Sequence, residues 1–228
     1  MRWNKKYIYP KSTREISDGQ RLYNINNQRL PSVTTILNDT QSDHKRESLK
    51  KWRDRIGDKE ADKILKTSSQ RGTAMHKHLE EYLIGQNFIT MPGLEEEARL
   101  MSQIIINKGL SHLDELWGCE VTVYMPEMFA GTSDAIGVYQ NKESIIDFKQ
   151  SNKPKKKEWI TDYFFQVGAY ALAHNHIYDS NISQGVILVC TPPPNMEFQE
   201  FIICDDEFSF YQEEFIKKVK IYNERHSK

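Results

Sequence analysis

The hydrophobic period of this chain changes between residues 108 and 118, and that change limits the folds open to it. Upstream, Met75, Leu79, Tyr82 and Leu83 recur at i, i+4, i+7 and i+8, an apolar stripe that predicts a helix over Thr73–Ile84 closed by Gly85. Ala98, Met101 and Ile105 place another over Leu94–Lys108, and helical signals also cover 42–57 and 58–67. Downstream, 118–125, 129–139 and 144–150 alternate or carry β-branched runs, which predicts three consecutive strands. A helix over 157–177, strands at 185–191 and 197–203, and a helix from about Asp206 complete the order. Near the N-terminus, Arg21–Ile25 and Arg29–Leu37 read as extended segments joined by a turn at Asn26-Asn27. The order predicts an α/β protein, with a mixed central β-sheet flanked by helices and an N-terminal helical region. No repeat or linker divides the 228 residues. A single domain is expected: a hairpin and helical extension over 1–70, the core over 71–204 and a closing helix over 205–228.

Composition narrows the partners. Net charge is −1, from 31 basic and 32 acidic residues. Such a balance gives no global field for nucleic acid, so any such site must be a local basic patch. No window approaches the roughly 18 apolar residues of a membrane span, and no membrane partner is expected. The segment Met1–Pro10 is basic and aromatic but lacks the apolar core of a secretory signal. Three scattered cysteines, Cys119, Cys190 and Cys204, fit a reducing compartment. A cytoplasmic protein is expected, with a monomer favoured.

The chemistry lies in the strands. Asn141-Lys142 sits between two strand-like runs at the spacing of a two-residue hairpin loop. That loop pairs Gln140 with Glu143, and it sets Asp134 opposite Lys149 and diagonal to Asp147. Asp147 and Lys149 are two apart and share a face, while Ile146 and Phe148 point the other way. Carboxylates this close repel, and need a cation or the lysine to neutralise them. A hard divalent ion with oxygen ligands does so; it also polarises a phosphodiester and acidifies a bound water. Lys149 would position that water or offset developing charge. The same three residues equally fit a solvated salt-bridge face, because Asp-x-Lys alone carries little information.

Further elements follow in order. Arg71-Gly72-Thr73-Ala74-Met75-His76 with Glu80 resembles the Gly-Thr-x-x-His…Glu element of RecB-like nucleases in the PD-(D/E)XK superfamily. Gly131-Thr132-Ser133-Asp134 resembles their Gly-x-x-Asp strand, and Ile146-Asp147-Phe148-Lys149 their hydrophobic-Asp-aromatic-Lys strand. Gln166 and Tyr170 resemble the Gln-x-x-x-Tyr helix, and Glu120 stands where this branch often has an acid. Leu30–Leu37 (Leu-Pro-Ser-Val-Thr-Thr-Ile-Leu) and Asp147–Lys155 are similar to segments of the mitochondrial genome maintenance exonucleases and their phage and bacterial relatives; Gln150 replaces the usual threonine. The targeting sequence of the mitochondrial members is not seen, so a bacterial or phage-infected cell is the expected setting.

The resemblance implies a restriction-endonuclease-like core and metal-dependent cleavage of DNA, usually single-stranded and from a free end. It implies magnesium or manganese as cofactor, held by His76, Asp134, Asp147 and the backbone carbonyl of Phe148, with Lys149 and Glu120 completing the catalytic set. It also implies that Gln166 and Tyr170 orient the active-site strand or touch DNA. Each transferred residue has a structural alternative. His76 fits a satisfied core histidine, and Gln166 with Tyr170 fits a helix face capping the core. Lys153, Lys155 and Lys156, with Trp159 and Tyr163 behind them, suit phosphate gripping and base stacking or a solvated loop. Trp52, in a second basic cluster over Lys50–Arg55, fits a channel wall or the core, and Arg71 is a further candidate contact. An iron–sulfur cluster of the kind some RecB-like nucleases carry needs four cysteines, so none is expected. Three activities stay open: an exonuclease, a structure-specific or restriction-type endonuclease, and a non-catalytic DNA-binding protein.

Overall fold

The computed structural model describes residues 1–85 and 93–226. A six-stranded mixed sheet forms its centre. Its strands are β1 (Arg2–Trp3), β5 (Leu113–Met125), β6 (Phe129–Tyr139), β7 (Lys142–Gln150), β8 (Gln184–Cys190) and β9 (Phe198–Cys204), in that spatial order. A smaller antiparallel sheet comprises β2 (Thr13–Ser17), β3 (Gln20–Ile25) and β4 (Gln28–Pro31). The helices are α1 (Val33–Asp39), α2 (Asp43–Ile56), α3 (Asp58–Ile84), α4 (Leu94–Lys108), α5 (Thr161–Tyr178) and α6 (Asp205–His226). None among the described residues is long and apolar enough to cross a membrane.

The sheet is a three-strand meander, β5 to β7, extended by a parallel step to β8. A parallel step needs a crossover, and α5 supplies it. Successive side chains of β7 serve opposite faces, which places one core on each side of the sheet. Ile146 and Phe148 pack with Met75, Leu79 and Leu83 of α3 and Met101 and Ile105 of α4. Ile145 packs on the other side with Phe164 and Val167 of α5 and Phe208 and Phe215 of α6. The small sheet rests on β6, where Tyr23, Ile25 and Leu30 form a buried cluster with Ala130.

The structure corrects the sequence reading at five places. Residues 33–37 are helical rather than extended, because Ser32 caps α1 with its hydroxyl accepting the Thr35 N–H at 3.0 Å. The two helices expected over 58–67 and 73–84 are one continuous α3, so the division expected at residue 70 falls inside a helix. Gly72 does not interrupt it. Tyr82 is 40% exposed and leaves the apolar stripe to Met75, Leu79 and Leu83. His78, given no role from sequence, is 2% exposed, with Nε2 3.1 Å from Glu95 Oε1, and joins α3 to α4.

The fifth correction concerns the central hairpin. Tyr139 pairs with Lys142, so the turn is Gln140-Asn141, not Asn141-Lys142. Both turn residues have positive φ, 49° and 63°, as a type I′ turn requires. The expected loop would have forced Lys142 into that left-handed region. The partner of Asp134 therefore shifts by two, from Lys149 to Asp147. A shift of two keeps every side chain on its expected face.

Candidate active site

The β6–β7 ladder runs from Tyr139–Lys142 to Ala135–Ile146 and stops there. Beyond it β7 continues beside β8 to Gln150, while β6 continues beside β5 to Phe129. The sheet thus forks one residue before Asp134 and Asp147. Between the pairs Cys119–Ala135 and Val121–Ser133, Glu120 falls opposite Asp134. Three carboxylates, one from each strand, consequently occupy one row at the fork, on the face shared by Ile136 and Ile145.

Two helices close over this row. His76 projects from α3, next to the stripe that seats that helix on the sheet, and its Nδ1 lies 3.4 Å from Asp134 Oδ1 and 4.0 Å from Glu120 Oε1. From α5, the Gln166 amide donates to the Tyr170 hydroxyl at 3.1 Å. The Tyr170 ring lies so close to the β6 backbone that a Cβ on Gly131 would sit 2.3 Å from it, so glycine is required there. Lys149 ion-pairs with Asp147, and its ammonium stands 5.1 Å from the Tyr163 ring centre.

Burial and mutual charge set the electrostatics of the row. Burial opposes a charged His76, but the Asp134 carboxylate outweighs it and pushes the imidazole up to about 9. Burial and the proximity of Asp134 push Glu120 up to about 7. Burial likewise raises Asp147 to about 6, although Lys149 opposes it. Asp134 itself is held below its ordinary value: His76 and Lys149 outweigh its burial, and it accepts the Phe148 N–H. Lys149 is held above its ordinary value by Asp147 and Asp134, against its burial.

The donor set fits a divalent cation. One ligand atom each from His76, Glu120 and Asp134 falls within 4.8 Å of the others. Asp147 Oδ2 is buried, touching the Lys149 ammonium but without an aligned hydrogen-bond donor. This grouping differs from the ligand set expected from sequence, since Glu120 enters it while Asp147 stands behind, tied to Lys149.

A cavity of about 630 Å³ opens over the cluster. Of the expected residues, His76, Glu120, Asp134, Lys149, Gln166 and Tyr170 line it. The other seven do not: Asp147 and Phe148 lie behind its wall, and five more lie elsewhere. Arg71 is buried and spends its guanidinium on Glu97 at 2.8 Å, Asn152 at 2.9 Å and Gln150 at 3.2 Å, so it braces α3 against the end of β7. Trp52 is half-buried on α2, a helix with no buried residue. Lys153 and Lys156 are exposed, Lys155 is half-buried, and the three follow β7 outside the cavity wall. Sequence reasoning missed Arg14, Arg21 and Tyr23, which the small sheet brings to the cavity. The Asp18-Gly19 turn, with positive φ at both residues, was the available signal for their hairpin.

Comparison with known proteins gives a consistent picture. No family model matches. The protein named mitochondrial genome maintenance exonuclease 1 of Mus musculus is 28% identical over 207 residues, 86% of this chain and 60% of the mouse protein. Its Xenopus tropicalis counterpart is 26% identical over 191 residues, 78% of this chain and 54% of that protein. The chain thus spans somewhat over half the length of these relatives. A candidate exonuclease from Eubacterium rectale shares the fold at a TM-score of 0.50 and 12% identity, over 68% of this chain and 65% of that one. The chain is thus similar over most of its length to proteins named mitochondrial genome maintenance exonuclease 1, and it shares a fold with the Eubacterium rectale protein.

Proposed function

We propose that this chain is a metal-dependent deoxyribonuclease that hydrolyses phosphodiester bonds of single-stranded DNA from a free end. The convergence of His76, Glu120 and Asp134 within 4.8 Å, beside the Asp147–Lys149 pair, carries the reading. The exonuclease names of the relatives support it.

His76, Glu120 and Asp134, with Asp147 behind them, would hold magnesium or manganese, which when bound polarises the scissile phosphate and acidifies a water. The carboxylates supply hard oxygen donors suited to those ions. Lys149 has a fixed position, because Asp147 orients its ammonium and the Tyr163 ring packs beside it. It places a compact positive charge at the edge of the cavity, where it offsets charge growing on the phosphate oxygens. Tyr170 and Gln166 keep the β6 strand and the α5 helix in fixed relation, so the carboxylate row does not drift.

Cations on the outer surfaces support DNA as the substrate. Helix α2 stands off the core, and Lys45 at its start ion-pairs with Asp162 at the start of α5. Lys155 is held below its ordinary pKa by burial and by Lys45, so two cations converge beside the end of β7. Cations gathered in this way suit a backbone of phosphates. The test is cleavage of end-labelled linear and covalently closed circular single strands, with magnesium, manganese or chelator. Loss of linear but not circular substrate, abolished by chelator, is expected. Equal cutting of the circle would make the protein an endonuclease.

A further inference from the structure

Two arginines on the cavity wall have no acidic partner within ion-pair distance among the described residues: Arg14 on β2 and Arg21 on β3. Their placement follows from strand register. Arg14 pairs with Tyr23 and Ile16 with Arg21, which puts Arg14, Arg21 and Tyr23 on one face of the small sheet. Glu15 and Arg29 lie on the opposite face and bond to each other at 2.6 Å. The arginine of the outer face is therefore neutralised, while those of the inner face are not.

That inner face is the one that docks on the core. Tyr23, Ile25 and Leu30 are buried on it against Ala130, and the Tyr23 hydroxyl hydrogen-bonds Thr132 Oγ1 at 3.0 Å, two residues from Asp134. A docking face ordinarily buries apolar groups, and a cation turned inward is costly without a counter-charge. Arg14 and Arg21 remain exposed there because the cavity opens in front of them. Arg14 is close enough to Glu120 to favour its ionised form, yet the two do not ion-pair. The cavity thus has an acidic wall, where a cation fits, and a guanidinium wall, where an anion fits.

We infer that Arg14 and Arg21 hold a backbone phosphate of the substrate next to the one that is cleaved, so that the N-terminal hairpin sets the register of the strand over the carboxylate row. The inference rests on the nuclease reading for its substrate. The guanidinium fork suits two phosphate oxygens at once. Tyr23, locked by Thr132, fixes the distance between the two walls.

The test uses the full chain with Arg14→Gln, Arg21→Gln, the double variant, Arg21→Lys, and Arg29→Gln as the outer-face control. Binding of a short single-stranded oligonucleotide is followed by fluorescence anisotropy in chelator, and cleavage by steady-state kinetics with manganese. Each cavity substitution is expected to raise Kd and KM about tenfold, the size of a lost charged hydrogen bond. It should leave kcat within about twofold, as loss of uniform binding does. The salt dependence of binding should flatten by about 0.7 per lost contact. Arg21→Lys should recover part of the affinity, and Arg29→Gln should change nothing. A double variant that binds like wild type, or an Arg29→Gln loss equal to that of the cavity variants, overturns the inference. A loss confined to oligonucleotides with a terminal phosphate overturns the backbone assignment in favour of end capture. If wild type cleaves nothing but the cavity variants alone lose binding, the phosphate site stands and the nuclease reading falls.

Discussion

The Oδ2 of Asp134 accepts the backbone N–H of Phe148 at 2.7 Å, in the row where the β6–β7 ladder has ended. One carboxylate therefore does two things. Its Oδ2 finishes the sheet where β6 and β7 part, while Oδ1 faces His76 at 3.4 Å. The fork that separates the strands is what leaves room for a site between α3 and α5.

Substitutions in the row should accordingly differ in sign. Asp134→Asn removes the charge that His76 and Lys149 stabilise, so the metal-free protein should lose melting temperature at pH 8. Glu120→Gln removes a carboxylate raised by burial and by Asp134, so the metal-free protein should gain it. Both should lower cleavage, Asp134→Asn by about two to three orders of magnitude, the scale of a lost group that stabilises the transition state. Thermal melts in chelator and single-turnover cleavage check the two halves separately. Equal stability changes in both variants would contradict this electrostatic account.

The pH dependence follows from the same groups. His76, Glu120 and Asp147 are raised from 6.5, 4.5 and 3.8 to about 9, 7 and 6. Each binds more protons folded than unfolded between its two values. The stability they contribute is therefore present at low pH and lost as pH rises through the folded values. Asp134, being lowered, runs the opposite way, but its window lies below 3.8. In chelator, Glu120→Gln should match wild type below pH 4.5 and exceed it increasingly as pH rises to about 7, with little further change above that. Added magnesium or manganese should raise the melting temperature more at pH 8 than at pH 6, because the cation competes with fewer protons. Melting curves across this range, with and without metal, are the measurement.

Lys149→Ala should lower turnover by about two to three orders of magnitude with a smaller effect on substrate affinity, since the ammonium acts on developing charge. Arginine should rescue poorly, because a planar fork does not fit beside Tyr163 and Asp147 as a compact ammonium does. Loss of affinity alone, at unchanged turnover, would make Lys149 a phosphate anchor.

The carboxylate row was legible because strands write their faces into sequence at period two. Asp147 and Lys149 share a face whatever the register, and Asp134 stayed on that face although its partner was misjudged. Register itself was harder to read, because Gln140-Asn141 and Asn141-Lys142 differ by one residue and only positive φ decides between them. The run over 33–37 is β-branched and apolar, so its helix became visible only through the Ser32 cap. Continuity of α3 across Gly72 is likewise a tertiary result, with Arg71 braced by Glu97, Gln150 and Asn152. Arg14 and Arg21 belong to a polar hairpin that precedes the Leu30–Leu37 segment and lies outside every quoted motif. The docking of the small sheet on β6, through Tyr23 on Thr132 and the cluster of Ile25, Leu30 and Ala130, brings them to the site.

The basic segment after β7 allows one more test, in which stability and binding should move in opposite directions. Lys155 is half-buried, and its pKa is lowered first by that burial and then by Lys45. A lysine whose folded pKa is depressed is held less favourably as a cation in the fold than in the unfolded chain, so its charge costs stability. Lys155→Met keeps the aliphatic stem and removes the charge, so the melting temperature at pH 7.5 should rise. The Lys155 backbone N–H bond to Gln199 at 2.6 Å is untouched by this change. A cation retained at a cost to folding is expected where it meets an anion. Affinity for single-stranded DNA should therefore fall about tenfold, the size of a lost charged hydrogen bond, with a flatter salt dependence. Lys153→Met, at an exposed position, should leave the melting temperature unchanged and separates general charge loss from the Lys45–Lys155 convergence. Unchanged affinity in Lys155→Met, alongside the rise in melting temperature, would remove this segment from the substrate path and leave Arg14 and Arg21 as the phosphate contacts.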